Sequence, residues 1–189
     1  MMRPLTVLTL SGSLRKASLN TAMLRMAADC APAGLRLDFH RGLGDLPLFN
    51  PDLELHEPAA VLRLRAEIAI ADALLIASPE YAHGVSGVMK NALDWMVGSG
   101  VFVAKPVVLW NASPRASHAL AALRETLTVM SARLVEEASL QVLIKAVESG
   151  KAMVNPDPTA MTHALQALHV ALCRRPFQAG GRDRARLSL

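Results

Sequence analysis

Four apolar runs of strand length, Leu5–Leu10, Leu35–Phe39, Ala73–Ala77 and Val107–Trp110, are separated by stretches with helical periodicity. This alternation constrains the fold more than any other feature. Helical spacing covers about Asn20–Cys30, with Leu24, Ala27 and Ala28 on one face, then Ala59–Ala71 and Val88–Val97. In Ala59–Ala71 the residues available to a core are Leu62, Leu64 and Ile68. Further on, a helix is predicted over Ala119–Arg133, a fifth strand within Leu134–Leu143 and a closing helix over Thr159–Cys173. Ala73–Ala77 is apolar throughout, as a strand covered on both faces requires, whereas Leu35–Phe39 alternates and suits a sheet edge. Strands and helices taken in turn call for a parallel sheet with right-handed crossovers and helices on both faces. The expectation is an α/β three-layer sandwich. Gly42, Gly44, Pro47 and Pro51 punctuate Arg41–Pro58, which reads as a long surface loop.

The chain has 189 residues, enough for one core, so one domain is expected over 1–178, followed by a frayed tail at 179–189. Aromatic residues make up only 4%, so aliphatic and alanine packing must fill the interior. The net charge of +4 owes much to Arg182, Arg184 and Arg186 in that tail, leaving a near-neutral body. No basic stripe interleaved with aromatics is present, which argues against a nucleic-acid partner. Cys30 and Cys173 lie far apart without metal-ligand spacing, and each falls in an apolar helical stretch where a buried thiol is expected. The N-terminus lacks a signal-peptide layout, and no apolar segment approaches the ~20 residues of a membrane span. A cytoplasmic protein with neither membrane nor metal partner is expected.

In a doubly wound sheet, ligands bind beyond the carboxyl ends of the strands. Three loops at those ends carry polar residues. The first, Ser11–Asn20, concentrates hydroxyls, an amide and Arg15 at the start of a helix. Exposed backbone N–H groups and the helix dipole favour an anion there, and Arg15 can add charge-assisted bonds to phosphate oxygens. The competing reading is that Ser18 or Asn20 only caps the helix. The sequence is neither a GxxxxGK[ST] loop nor a GxGxxG fingerprint. The second loop, Ser78–Gly87, has Pro79 fixing the exit from the strand, while Gly84 and Gly87 permit close approach of a flat ligand. A turn is expected at Gly84–Gly87. Glu80 reads equally as a helix-start or salt-bridge residue and as a ligand contact. His83 reads as a solvated loop histidine or as a donor to a flat ligand. Lys90 and Asp94, one turn apart, form a surface or interface pair. In the third loop, Asn111–His118, Ser113 can complete a ring pocket, Arg115 can meet phosphates, and Ser117 reads as the cap of the next helix.

At these loops the chain resembles the NADPH-dependent FMN reductase family, which includes flavodoxin-like chromate, quinone and azo reductases. The resemblance rests on GSLRKASLN at Gly12–Asn20, DLPLFNPDL at Asp45–Leu53 and SPEYAHGVSGVMKNALDW at Ser78–Trp95. It implies a flavodoxin-like sheet of five parallel strands in the order 2-1-3-4-5. It further implies that FMN phosphate is held by Ser11 or Ser13, Arg15, Ser18, Leu19 and Asn20. The flavin ring then lies against Pro79, Glu80, Tyr81, Ala82, His83 and Gly84, with Ser113 nearby. NADPH or NADH is the implied reductant, a small molecule the acceptor, and a homodimer or homotetramer the implied assembly, with the helix of Lys90, Asp94 and Trp95 near the subunit contact. Many relatives carry Asn where this chain has Ala82, and a glycine-rich loop where it has Ser113-Pro114-Arg115. The implied cycle is ping-pong, from reduced nicotinamide to FMN and then to a quinone-like, azo, metal-oxyanion or free flavin acceptor. The alternative is a flavodoxin-type electron carrier with no nicotinamide activity of its own, against which the near-neutral body argues.

Overall fold

Alternating side chains on each strand divide the interior into two cores. A computed structural model describes residues 3–113, 115–142 and 158–174. Its main strands are β1 (Leu5–Ser11), β2 (Leu35–Phe39), β3 (Ala73–Ala77) and β6 (Pro106–Asn111), all parallel neighbours in the order β2-β1-β3-β6. A two-residue hairpin, β4 (Glu80–Tyr81) with β5 (Gly84–Val85), stands apart from the sheet. The helices are α1 (Leu19–Asp29), α2 (Ala59–Ile70), α3 (Gly87–Val97), α4 (Ser117–Val129) and α5 (Pro158–Cys173). Leu8, Leu10, Leu74, Ile76, Val107 and Leu109 pack with residues of α2, α3 and α4. Val7, Ala73, Leu75, Ala77, Val108 and Trp110 pack on the opposite face with α1 and α5. The three-layer expectation therefore holds, with the flavodoxin-like strand order.

The fifth strand is broken. β7 (Arg133–Leu134) and β8 (Leu140–Gln141) both pair in parallel with β6, separated by a 3₁₀ turn at Glu136–Ala138. That turn brings the Ala138 carbonyl within 2.9 Å of the buried Trp110 Nε1–H, which would otherwise lack an acceptor. Helix α4 ends before the expected Arg133 because Ser131, at φ 60°, turns the chain back toward the sheet. In α2 the buried stripe is Val61, Leu64 and Ile68, so Leu62, one position round the helix, is half exposed. Arg41–Pro58 contains two 3₁₀ turns, Leu43–Asp45 and Pro51–His56. It is pinned to α3, whose Trp95 Nε1 and Asn91 Nδ2 donate to the Pro47 carbonyl at 2.8 and 2.9 Å, while Phe49 meets the Trp95 ring edge-on. Trp95 is thus a core residue, and Lys90 and Asp94 form the surface ion pair. The thiols are not buried as expected: Cys30 at the α1 C-cap is half-buried and Cys173 in the last turn of α5 is exposed. The expected tail at 179–189 and the domain boundary at 178 lie outside the described residues. Among the described residues no helix is long and apolar enough to cross a membrane.

Candidate functional site

The loops after β1, β3 and β6 converge on one cleft of about 350 Å³. Convergence depends on Gly12. Its N–H donates to the Ala77 carbonyl at 2.8 Å, and its carbonyl accepts from Ser86 Oγ at 2.6 Å. Ser86 also caps α3 by accepting from Met89 N–H, and Ser78 Oγ lies 3.2 Å from Ser86 Oγ. With the Ser86 proton spent on Gly12, Ser86 Oγ faces Ser78 as an acceptor, while Ser78 Oγ also lies 3.4 Å from the Pro79 carbonyl. A Cβ at Gly12 would stand 2.5 Å from Ser78 Oγ and 2.9 Å from Ser86 Oγ. Any side chain at this position pushes on the two serines that hold the loops together, whatever its φ.

The first loop contributes Ser13, Arg15, Ala17, Ser18, Leu19 and Asn20 to the lining. Ser18 is the N-cap of α1, accepting from Thr21 N–H at 3.2 Å. Asn20 is buried and does not cap; its Oδ1 accepts from Ala112 N–H at 3.4 Å, joining the first loop to the third. Among the described residues the backbone N–H groups of Leu19 and Asn20 have no acceptor. The Arg15 guanidinium is exposed and, among the described residues, has no carboxylate partner. Ser11 lies outside this lining: its hydroxyl pairs with Thr21 Oγ1 at 2.7 Å and faces a second cavity.

From the second loop Pro79, Glu80 and Tyr81 line the cleft. Glu80 Oε2 accepts from Ala119 N–H at 2.8 Å, at the start of α4. The N-cap of that helix is Ala116, which offers no side-chain acceptor. Glu80 therefore caps α4 from the hairpin, and the expectation that Ser117 caps it is corrected: Ser117 already lies inside the first turn. The turn expected at Gly84–Gly87 instead falls at Ala82 and His83, with φ of 49° and 61°. Both central residues of this two-residue hairpin are left-handed, the geometry that Asn-Gly satisfies with least strain. Ala82, His83 and Gly84 are not among the residues that line the cleft. The His83 ring stacks on His118, centroids 4.2 Å apart and planes 16° from parallel.

Asn111, Ala112, Ser113, Arg115 and Ala116 complete the lining. Buried Asn111, at the carboxyl end of β6, donates from Nδ2 to the Ala116 carbonyl at 3.0 Å and accepts from Ser113 N–H at 2.9 Å, so it shapes the third loop. It was not singled out from the sequence, although a polar residue closing an apolar strand run was the available signal. Arg115, like Arg15, is exposed without a carboxylate partner among the described residues. The cleft thus carries two uncommitted guanidiniums against one carboxylate already engaged by a helix. Its donor set fits a phosphate ester: free N–H groups at a helix start, an arginine, and an apolar shelf from Pro79 and Tyr81. No cluster of three metal-ligating side chains occurs among the described residues.

A doubly wound parallel sheet with its cleft at the carboxyl ends of the central strands defines a flavodoxin-like protein. Solved structures agree on the fold. The flavoenzyme NAD(P)H:(acceptor) oxidoreductase FerB of Paracoccus denitrificans superposes with a TM-score of 0.73 at 31% identity, over 88% of this chain and 94% of that one. An archaeal flavodoxin gives a TM-score of 0.59 at 11% identity, over 87% of this chain and 99% of that one. The family model of the NADPH-dependent FMN reductases matches residues 5–147, and the chain belongs to that family. Among curated proteins it is 45% identical over 98 residues to a probable NADPH:quinone oxidoreductase 2 of Oryza sativa, covering 49% of this chain and 48% of the relative. It is 46% identical over 90 residues to an NAD(P)H-dependent FMN reductase of Pseudomonas aeruginosa, covering 47% of this chain and 48% of the relative. The chain spans about half the length of these curated relatives.

Proposed function

We propose that the protein is an NAD(P)H-dependent flavin oxidoreductase that binds FMN in this cleft and reduces a small-molecule acceptor. The observation that carries the proposal is that Arg15, without a carboxylate partner among the described residues, lines the same cleft as Pro79, Tyr81 and the helix start at Leu19 and Asn20, whose N–H groups are free among those residues. The phosphate of FMN sits against the loop Ser13–Asn20, where each charge-assisted bond contributes on the order of 1.5–3 kcal/mol. Pro79 and Tyr81 would hold the ring, and Ala112 and Ser113 line the same cleft. FMN held there would supply the redox chemistry that links oxidation of reduced nicotinamide to reduction of a quinone-like, azo, metal-oxyanion or free flavin acceptor in a ping-pong cycle. For a quinone the balance is NAD(P)H, a proton and quinone giving NAD(P)⁺ and hydroquinone. The chain's own residues bind, orient and shield; no protein nucleophile takes part.

The two curated relatives named above support this reading, being a quinone oxidoreductase and an FMN reductase by name. Homodimer or homotetramer assembly belongs to the same proposal, supported by the exposed Leu48, Leu55 and Val97 on α3 and the loop packed against it. A cytoplasmic location goes with reduced nicotinamide as the electron source. The test is anaerobic addition of NADPH or NADH to FMN-loaded protein. Loss of the oxidised flavin absorbance, restored by a quinone, is the expected result. Flavin that binds but stays oxidised would reassign the chain as an electron carrier.

A further inference from the structure

A second cavity, of about 270 Å³, lies at the carboxyl ends of β1 and β2 against α1. It is lined by three hydroxyl residues, Thr9, Ser11 and Thr21, by Leu24 and Phe39, by Arg25 and Arg41, and by His40, whose Nδ1 lies 2.7 Å from Glu67 Oε2. Thr9 and Ser11 alternate with the buried Leu8 and Leu10, so they face α1 on the side of the sheet away from α2 and α3. Arg25 stands one helical turn beyond Thr21 on the same face of α1. Neither Arg25 nor Arg41 has a carboxylate partner among the described residues, and no acidic side chain lines the cavity.

The hydroxyls also have capacity to spare. Thr9 Oγ1 donates to the Asp38 carbonyl at 3.1 Å and presents only lone pairs to the cavity. The Ser11–Thr21 pair holds two hydroxyl protons and uses one between them at 2.7 Å, leaving one donor without an acceptor among the described residues. Two guanidiniums, one spare donor, acceptor lone pairs and an exposed aromatic edge form a donor set complementary to an anion attached to a hydroxylated body. At about 270 Å³ the cavity holds far more than a single water, which needs ~10–15 Å³, and falls just short of the ~300 Å³ at which pockets for drug-sized ligands begin, so its guest is a compact one.

We propose that this cavity is a binding site for a small phosphate monoester with a hydroxylated body, the phosphate between Arg25 and Arg41 and the body's hydroxyls on Thr9, Ser11 and Thr21. The site is separate from the flavin cleft and its occupancy does not depend on the redox proposal. The experiment is calorimetric titration of the full chain with ribose 5-phosphate, with and without saturating FMN, alongside titrations with ribose and with inorganic phosphate. Saturable binding of ribose 5-phosphate is expected in both states of the protein, weaker for inorganic phosphate and undetectable for ribose. Arg25→Ala and Arg41→Ala each weaken it about tenfold or more. FMN affinity and the unfolding midpoint stay at wild-type values in both variants. Absence of binding up to about 10 mM, in the millimolar range where affinity ceases to be specific, would overturn the proposal. So would equal affinity for inorganic phosphate, or ribose 5-phosphate affinity untouched by both substitutions. Failure of FMN itself to bind would instead strike only the proposed function, since the FMN-free titration stands alone.

Discussion

Gly12→Ala tests how the three loops are held together. The added Cβ would lie 2.5 Å from Ser78 Oγ, 2.9 Å from Ser78 Cβ and 2.9 Å from Ser86 Oγ. Neither serine can withdraw freely: both are buried, and Ser86 holds the Gly12 carbonyl and the first turn of α3 together. Relief requires Ser86 to release one buried hydrogen bond, about 0.5–1.5 kcal/mol, on top of overpacking of ~1–3 kcal/mol. The sum is about 1.5–4.5 kcal/mol, a fall in the unfolding midpoint on the order of 10 °C for a chain of this size. The assay is reversible urea or thermal unfolding of the FMN-free protein. Gly87→Ala is the matched control, because a Cβ there meets nothing within 4 Å and the position is the first of a helix. It is expected to be neutral or to stabilise by a few tenths of a kcal/mol to ~1 kcal/mol. A Gly12→Ala protein as stable as Gly87→Ala would show that the Gly12–Ser78–Ser86 contact does not hold the loops together.

The same contacts yield two further predictions. Glu80→Ala removes the only side-chain acceptor at the start of α4 among the described residues, at a cost of about 0.5–2 kcal/mol, while Glu80→Gln retains an acceptor and recovers most of it in urea unfolding. His118→Ala abolishes the stack on His83, so a double-mutant cycle with His83→Ala should show a coupling of about 0.5–1.5 kcal/mol, and His118→Phe should restore it; additive single effects would remove the stack's role.

The layer architecture was legible because each element is locally consistent. Ala73–Ala77 reads as a doubly covered strand and is buried at every position. The broken fifth strand was not legible, since its turn is set by the distant Trp110 indole rather than by residues 136–138 themselves. The cleft was foreshadowed by the rule that ligands sit beyond strand ends, which placed Ser13, Arg15, Ser18, Asn20, Pro79, Glu80, Tyr81 and Ser113 together. Side-chain direction was beyond that rule. Ser11 ends β1 pointing to the α1 face, and only the sheet's pleat and Thr21 reveal it. Glu80 and His83 had open assignments because their partners, Ala119 and His118, are more than thirty residues away in sequence. Asn111 differs: its partners Ser113 and Ala116 are two and five residues away, and a polar residue closing the apolar run of β6 is itself the signal of its loop-shaping role.

In the proposed function a phosphate, rather than the ring alone, anchors the cofactor at Ser13–Asn20. Equilibrium titration with FMN and with riboflavin, on wild type and on Arg15→Ala, isolates that phosphate. FMN is expected to bind at least tenfold more tightly than riboflavin, and Arg15→Ala to weaken FMN by about 10–100-fold while leaving riboflavin unchanged. Equal affinities for the two flavins in the wild-type protein, or an Arg15→Ala variant that holds FMN as tightly as wild type, would contradict the account.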